Sequence, residues 1–145
     1  MAVKPIPDGY HSVNPMIIVE GAGRLIDFLK QAFGAEERFL MPMPDGSVGH
    51  AELSLGDSVV MVPDATPEWP AQGCSVHLYV EDLDAVYTRA LQAGATSRME
   101  PEDRFYGDRA AAVRDPLGNL WSLATHIEDV SNEEMQRRMA AMGPA

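Results

Sequence analysis

Apolar and polar positions alternate along this chain in two rhythms, and the order of those rhythms is used twice. Met16-Ile17-Ile18-Val19 is a short apolar run closed by Glu20. It leads into a stretch where Leu25, Ile26, Leu29, Ala32 and Phe33 recur at helical spacing, with Gly34 placed as a stop. Further on, His77-Leu78-Tyr79-Val80-Glu81 leads into a second helical stretch. Asp82 is its N-cap, Leu83, Val86, Ala90 and Leu91 face inward, and Gly94 ends it. Each helix is followed by strands joined at turn signals: Pro44-Asp45-Gly46-Ser47, Leu55-Gly56-Asp57, and Asp115-Pro116-Leu117-Gly118-Asn119. Val19 corresponds to Val80, Gly34 to Gly94 and Gly56 to Gly118, at offsets of 61, 60 and 62 residues. Three ordered matches at nearly one offset indicate a duplication. The predicted architecture is α+β: two βαβββ modules, about 11–66 and about 73–128, within one domain spanning 1–145.

Two regions lie outside the repeat. The Pro-rich stretch from Pro63 to Gly73 reads as the linker between the halves. The tail predicts a short helix over about 131–142. Ser131 and Glu134 have capping-box spacing, and Val130 with Met135 fits a hydrophobic staple. Met135, Met139 and Met142 make that helix Met-rich; it reads as a docked surface helix, with recruitment of a partner as the alternative.

Within strands, alternate residues face opposite sides of the sheet. Ala51, Leu53 and Leu55 oppose His50, Glu52 and Ser54. Val76, Leu78 and Val80 oppose Ser75, His77 and Tyr79, and Trp121 and Leu123 oppose Leu120, Ser122, Ala124 and His126. One side is apolar and suits packing on helices. The other is mixed, which fits either a ligand-facing concavity or a solvated sheet face.

Composition narrows the function. Of 145 residues, 22 are Asp or Glu and 11 are Lys or Arg, a net charge of −11. That balance argues against nucleic acid and against anionic membrane surfaces, both of which select a basic face. Cys74 is alone, so neither an intrachain disulfide nor a Cys-rich zinc site is available. The first residues lack the apolar core of a signal peptide, and no run approaches the roughly 20 apolar residues of a membrane span. The expected location is the cytoplasm. No Ser-His-Asp ordering, Gly-rich phosphate loop or CxxC pair supports nucleophilic or nucleotide chemistry.

The doubled βαβββ pattern with its Asp-Pro-Leu-Gly-Asn hairpin resembles the glyoxalase/bleomycin-resistance/dioxygenase superfamily, the vicinal oxygen chelate fold. Pro42-Met43-Pro44-Asp45-Gly46, Gly49-His50-Ala51-Glu52-Leu53, Phe105-Tyr106-Gly107-Asp108-Arg109 and Ala124-Thr125-His126 resemble its PhnB-like branch. The resemblance implies curved half-barrel sheets with helices outside, completed by pairing in a homodimer and enclosing a small-molecule cavity. It implies no particular reaction. In metal-dependent members, ligands come from the first and last strand of each module. Here those positions align with Asn14, Val60, Ser75 and Ser122, which are poor ligands for zinc, nickel or iron. No metal and no cofactor are therefore expected at those positions.

The resulting expectation is a metal-independent small-molecule-binding protein, sequestering or carrying its ligand. Met16, Ile18, Val60 and Tyr79 would form an apolar wall, and His50, Glu52, His77 and Arg114 would orient polar groups. Asn14, Ser75, Ser122, Tyr106 and Arg109 complete the candidate lining. Arg109 or Arg114 suits an anionic group, while an Asp108–Arg109 pair pinning the loop is the other reading. The alternative function is a lyase, isomerase or dioxygenase-type enzyme with Glu52 or His77 as base, its pKa moved towards neutrality. In that reading His50, Glu52 and His77 supply a displaced facial-triad metal site; otherwise His50 and Glu52 simply hydrogen-bond at the cavity wall. His11 is expected to be exposed, and His126 to bind either backbone or ligand.

Overall fold

The computed structural model describes residues 2–144. Its elements run α1 (Ala22–Phe33), β1 (Glu36–Pro42), β2 (Val48–Leu55), β3 (Ser58–Met61), β4 (Ser75–Tyr79), α2 (Leu83–Gln92), β5 (Thr96–Asp103), β6 (Asp108–Arg114), β7 (Leu120–His126) and α3 (Asn132–Ala141). They form one sheet ordered β1-β2-β3 and a second ordered β4-β7-β6-β5, and neither closes into a barrel. In the second sheet β4 lies parallel to β7, and the other pairs are antiparallel.

The first expected strand is the main departure from the repeat. Around residues 13–19 only two parallel bridges form, Met16 with Met61 and Val19 with Asp64. The cause is Pro63. Met61 N–H donates to Pro15 O, Ile17 N–H to Met61 O, Val19 N–H to Pro63 O and Ala65 N–H to Val19 O. A parallel ladder needs one further bond from residue 63 to Ile17 O, and proline has no N–H to make it. In the second half no proline intervenes, and β4 pairs with β7 over five consecutive residues.

Strand alternation sets the core. Ala51, Leu53 and Leu55 of β2 are buried and pack with Leu25 and Leu29 of α1 in a cluster that also holds Leu83, Val86, Val113, Trp121 and Leu123 from the second half. Phe33, at the end of α1, reaches across to Trp121 with ring centroids 4.9 Å apart. The Trp121 Nε1–H donates to Asp115 Oδ2 at 2.9 Å, so the β6–β7 turn is tied to the core through a fully buried indole. Leu91, expected to face inward, is 37% exposed. The buried stripe of α2 is Leu83, Val86 and Ala90, and Leu91 lies about 100° of helical rotation past Ala90.

The linker has no helix or strand, but hydrogen bonds tie it down at several points. Thr66 and Trp69 exchange backbone bonds, Gln72 N–H donates to Ile18 O, and Asp64 accepts from the backbone N–H groups of Gly21, Ala22 and Val48 at 2.9, 2.8 and 2.7 Å. Asp64 thereby supplies the cap that Gly21, which has no side chain, leaves missing at the start of α1. At the other end of the chain, Ser131 Oγ accepts from Glu134 N–H at 3.1 Å as expected. The Glu134 carboxylate turns to Arg137 and Arg138 rather than completing the capping box. α3 buries no residue fully; it is held by Arg138, which donates to Phe105 O and to both carboxylate oxygens of Glu128.

Candidate functional site

Each sheet turns its non-core face outward, and the candidate residues divide between the two. On the first sheet, β2 carries His50 and Glu52 opposite Met41 and Phe39 of β1, while Glu52 also pairs with Met61 of β3. His50 Nε2 lies 2.9 Å from Glu52 Oε2, and the Tyr10 hydroxyl donates to Glu52 Oε1. The Tyr10 hydroxyl, acting with His50 against the effect of burial, holds the Glu52 carboxyl below the usual carboxylate range. The same bond raises the Tyr10 phenol above its ordinary value. For Glu52 this shift is opposite to the expected one, and a carboxylate held low is a weak base near neutral pH.

Two clefts meet at this pair. One, of about 270 Å³, lies between Met16, Ile18, His50, Asp64 and Trp69. The other, of about 420 Å³, lies between the lead-in residues Pro5 to Asn14 and the sheet residues Glu52 and Met61. Asn14 is tied to the lead-in itself, donating to His11 O at 2.7 Å. His11 is exposed, as the sequence predicts.

On the second sheet, Ser75, His77 and Tyr79 face the same side as Ser122 and His126. His77 Nδ1 is 2.8 Å from Ser122 Oγ, and its ring meets Tyr79 edge-on at 4.8 Å. Tyr79 OH donates to the buried Asp108 at 3.1 Å, and Asp108 also takes His126 Nδ1 at 2.8 Å. His126 Nε2 lies 2.8 Å from Asp129. Asp108 first, then Asp129, raise the imidazole above its ordinary pKa, which favours the imidazolium; Asp108 also raises the Tyr79 phenol. His126 therefore contacts two carboxylates, where the sequence offered backbone or ligand. Tyr106 is half-buried, edge-on to Phe105 at 5.2 Å, in the turn before β6.

Three placements correct the sequence reading. Val60 pairs with Leu53, is 2% exposed and packs in the core; the residue sharing Glu52's side is Met61. The alignment to the family's ligand positions sets Val60 beside Ser122, whereas the bridge Met16–Met61 matches the pair His77–Ser122 at an offset of 61. One residue of slip exchanges the faces of a strand. Arg109 does not pair with Asp108, because neighbours on β6 point oppositely. It reaches the helix side instead, where Nε and Nη2 grip Asp84 of α2 at 2.8 and 2.9 Å and Nη1 meets Asp103 at 3.0 Å. Arg114 donates to Gly118 O at 3.0 Å and braces the β6–β7 turn.

The residues that pair at corresponding places in the two halves are Met16 with Met61 and His77 with Ser122. Of these only His77 is a customary ligand for a borderline or hard divalent metal, so this donor set does not fit the metal of the metal-dependent relatives. His50 and Glu52 lie on one sheet and His77 on the other. Among the described residues, no three His, Cys, Asp or Glu side chains gather as a metal site. Tyr10 and Arg38 were not singled out in the sequence. They lie in a lead-in and a wholly exposed strand, where hydrophobic periodicity carries no signal.

The sequence pattern of the Glyoxalase/Bleomycin resistance protein/Dioxygenase superfamily matches residues 11–123. The chain is 36% identical over 143 residues to the uncharacterized protein Mb0911c of Mycobacterium bovis, covering 91% of this chain and 94% of that one. It is similar to the crystal structure of TioX from Micromonospora sp. ML1, with 26% identity, a TM-score of 0.69, and 81% and 99% of the two chains covered. It also shares the fold of TnmS3, an antibiotic-binding protein from Streptomyces sp. CB03234, with 21% identity, a TM-score of 0.63, and 87% and 98% covered. With the superfamily pattern matching residues 11–123 and an α+β arrangement of two open sheets, the chain belongs to the glyoxalase/bleomycin resistance protein/dioxygenase superfamily.

Proposed function

We propose that this protein, a member of the PhnB-like branch, binds an organic small molecule on the concave faces of its sheets without a metal, sequestering or carrying it as a cytoplasmic homodimer. The observation that carries this reading is the make-up of those faces. Met16, Phe39, Met41 and Tyr79 are 47, 49, 43 and 60% exposed, and they surround the hydrogen-bonded pairs His50–Glu52 and His77–Ser122. Exposed apolar side chains around a few fixed polar groups are the usual make-up of a ligand cavity before it is covered. Two open half-sheets, each with such a face, suit closure by a second copy of the chain. TnmS3, which shares the fold, is an antibiotic-binding protein, and this supports the reading.

The test combines light scattering, metal analysis of protein purified without chelator or tag, and a thermal-shift screen of aromatic and amphiphilic compounds. A dimer without stoichiometric metal that is stabilised by a subset of compounds supports the reading. A stoichiometric metal whose removal abolishes binding overturns it in favour of the enzyme with a displaced metal site.

A further inference from the structure

The first concavity is already occupied in part by the protein's own chain. Residues 5–14 lie beside the sheet, and among the described residues the hydrogen bond tying the lead-in of residues 2–14 to the sheet is that of Tyr10 with Glu52. The other polar contacts of the lead-in are internal: Lys4 with Asp8, Tyr10 N–H with Pro7 O, and Asn14 with His11. The Tyr10 ring is gripped on its face as well as at its hydroxyl, since Arg38 Cζ stands 4.9 Å from the ring centroid. Gly9 makes room for that guanidinium. Its φ is +86°, and a Cβ there would stand 3.0 Å from Arg38 Nη2. Beneath the hydroxyl, Glu52 takes its second partner from His50, and Ile6, Pro7 and Met61 supply apolar lining.

Resting on the proposed ligand-binding reading, we infer that the seat of Tyr10 is a phenol-binding subsite: the ligand presents a hydroxylated aromatic ring to Glu52 and Arg38, and binds by displacing Tyr10. The chemistry of the seat selects that class. Glu52 is an acceptor and His50 already fills its other oxygen, so the incoming group must donate a proton; a carboxylate or phosphate meets repulsion. An aliphatic alcohol offers the donor but no π-face for Arg38, and an unsubstituted ring offers the face but leaves Glu52 Oε1 without its donor. Tyr10 satisfies both demands, and among the described residues its tether makes no other hydrogen bond to the sheet, so it can leave without unfolding either half.

The experiment removes the built-in ring and returns it in solution. Tyr10→Ala is titrated with p-cresol and with toluene by calorimetry, beside the wild-type chain. The expected result is p-cresol binding about tenfold or more tighter than toluene, since a hydrogen bond to a charged acceptor is at stake. Wild type binds p-cresol about tenfold more weakly than the variant, and adding Glu52→Gln to Tyr10→Ala erases the preference over toluene. Equal binding of the two probes, or none, overturns the proposal.

If Tyr10→Ala does not fold, wild-type protein carrying ring-labelled tyrosine is titrated with p-cresol and followed by NMR, with Tyr10 assigned from Tyr10→Phe. A saturable shift of the Tyr10 signal supports displacement, and its absence overturns it. A screened compound that moves His77 and Tyr79 signals but not Tyr10 leaves the binding function standing and refutes this subsite. Conversely, p-cresol seated in Tyr10→Ala with no hit in the compound screen keeps the subsite and removes the sequestering function.

Discussion

Replacing Asp64 with alanine is expected to be among the most damaging single changes outside the apolar core. Its two carboxylate oxygens accept from three backbone N–H groups on two different segments: Gly21 and Ala22 at the start of α1, and Val48 at the start of β2. Its own backbone bridges to Val19. Losing a helix cap costs about 1 kcal/mol, and a hydrogen bond to a charged acceptor contributes about 1.5–3 kcal/mol. Asp64 is only half-buried, so water re-solvates some of the orphaned donors, and we expect a net loss of about 3 kcal/mol rather than the sum. For a chain of this size that corresponds to roughly 6–12 °C in Tm. Burial raises the Asp64 pKa, but the N–H groups of Ala22, Val48 and Gly21 outweigh it and hold the carboxyl below its ordinary value. A carboxyl lowered in the folded state contributes stability that is complete above its unfolded pKa of about 3.9 and is lost as pH falls through the folded value. The gap between wild type and Asp64→Ala, measured by urea denaturation from pH 7 downwards, is therefore largest at neutral pH and narrows in acid. A loss below about 1 kcal/mol at pH 7, or a gap that widens towards acid, refutes the reasoning.

Three further predictions follow from single contacts. Val60→Ala deletes buried core volume and is expected to cost about 2 kcal/mol in urea denaturation while leaving the affinity of any ligand found by screening unchanged; a selective loss of affinity would return Val60 to the cavity wall. Because Asp108 and Asp129 raise the His126 pKa, its contribution is complete below the unfolded value of about 6.5 and disappears as pH rises through the folded one. The Tm difference between wild type and His126→Ala should accordingly be greater at pH 5.5 than at pH 9. Gly107→Ala places a Cβ against the backbone oxygen of Glu128 at a φ of +101°, and is expected to cost about 2 kcal/mol or more. Since Gly107 O also receives the N–H groups of Ile127 and Glu128, limited proteolysis should then release α3 first.

The two-module plan, both main helices, the hairpin turns and the apolar faces of β2, β4 and β7 were legible in the sequence alone, because period, caps and turn chemistry are local properties. Locality also explains the failures. Val60 was assigned to the wrong face because pairing register depends on the partner strand, and a whole-repeat offset of 61 or 62 does not resolve one residue. The interruption of the first strand required knowing that Pro63 would lie opposite Ile17. Arg109 and Asp108 are neighbours in sequence, yet one pins α2 and the other joins Tyr79 to His126, a division made only once β6 lies between a helix layer and an open face. The joining of Tyr10, Arg38, His50 and Glu52 at one seat was out of reach for the same reason: it unites a lead-in, two strands and a cation–π contact up to 42 residues apart in the chain. The amino-acid pattern determined which elements form and which residues are apolar enough to be buried. The tertiary arrangement decided which polar groups meet, because a hydrogen bond acts only over a few ångströms and depends on distances that chain spacing does not encode.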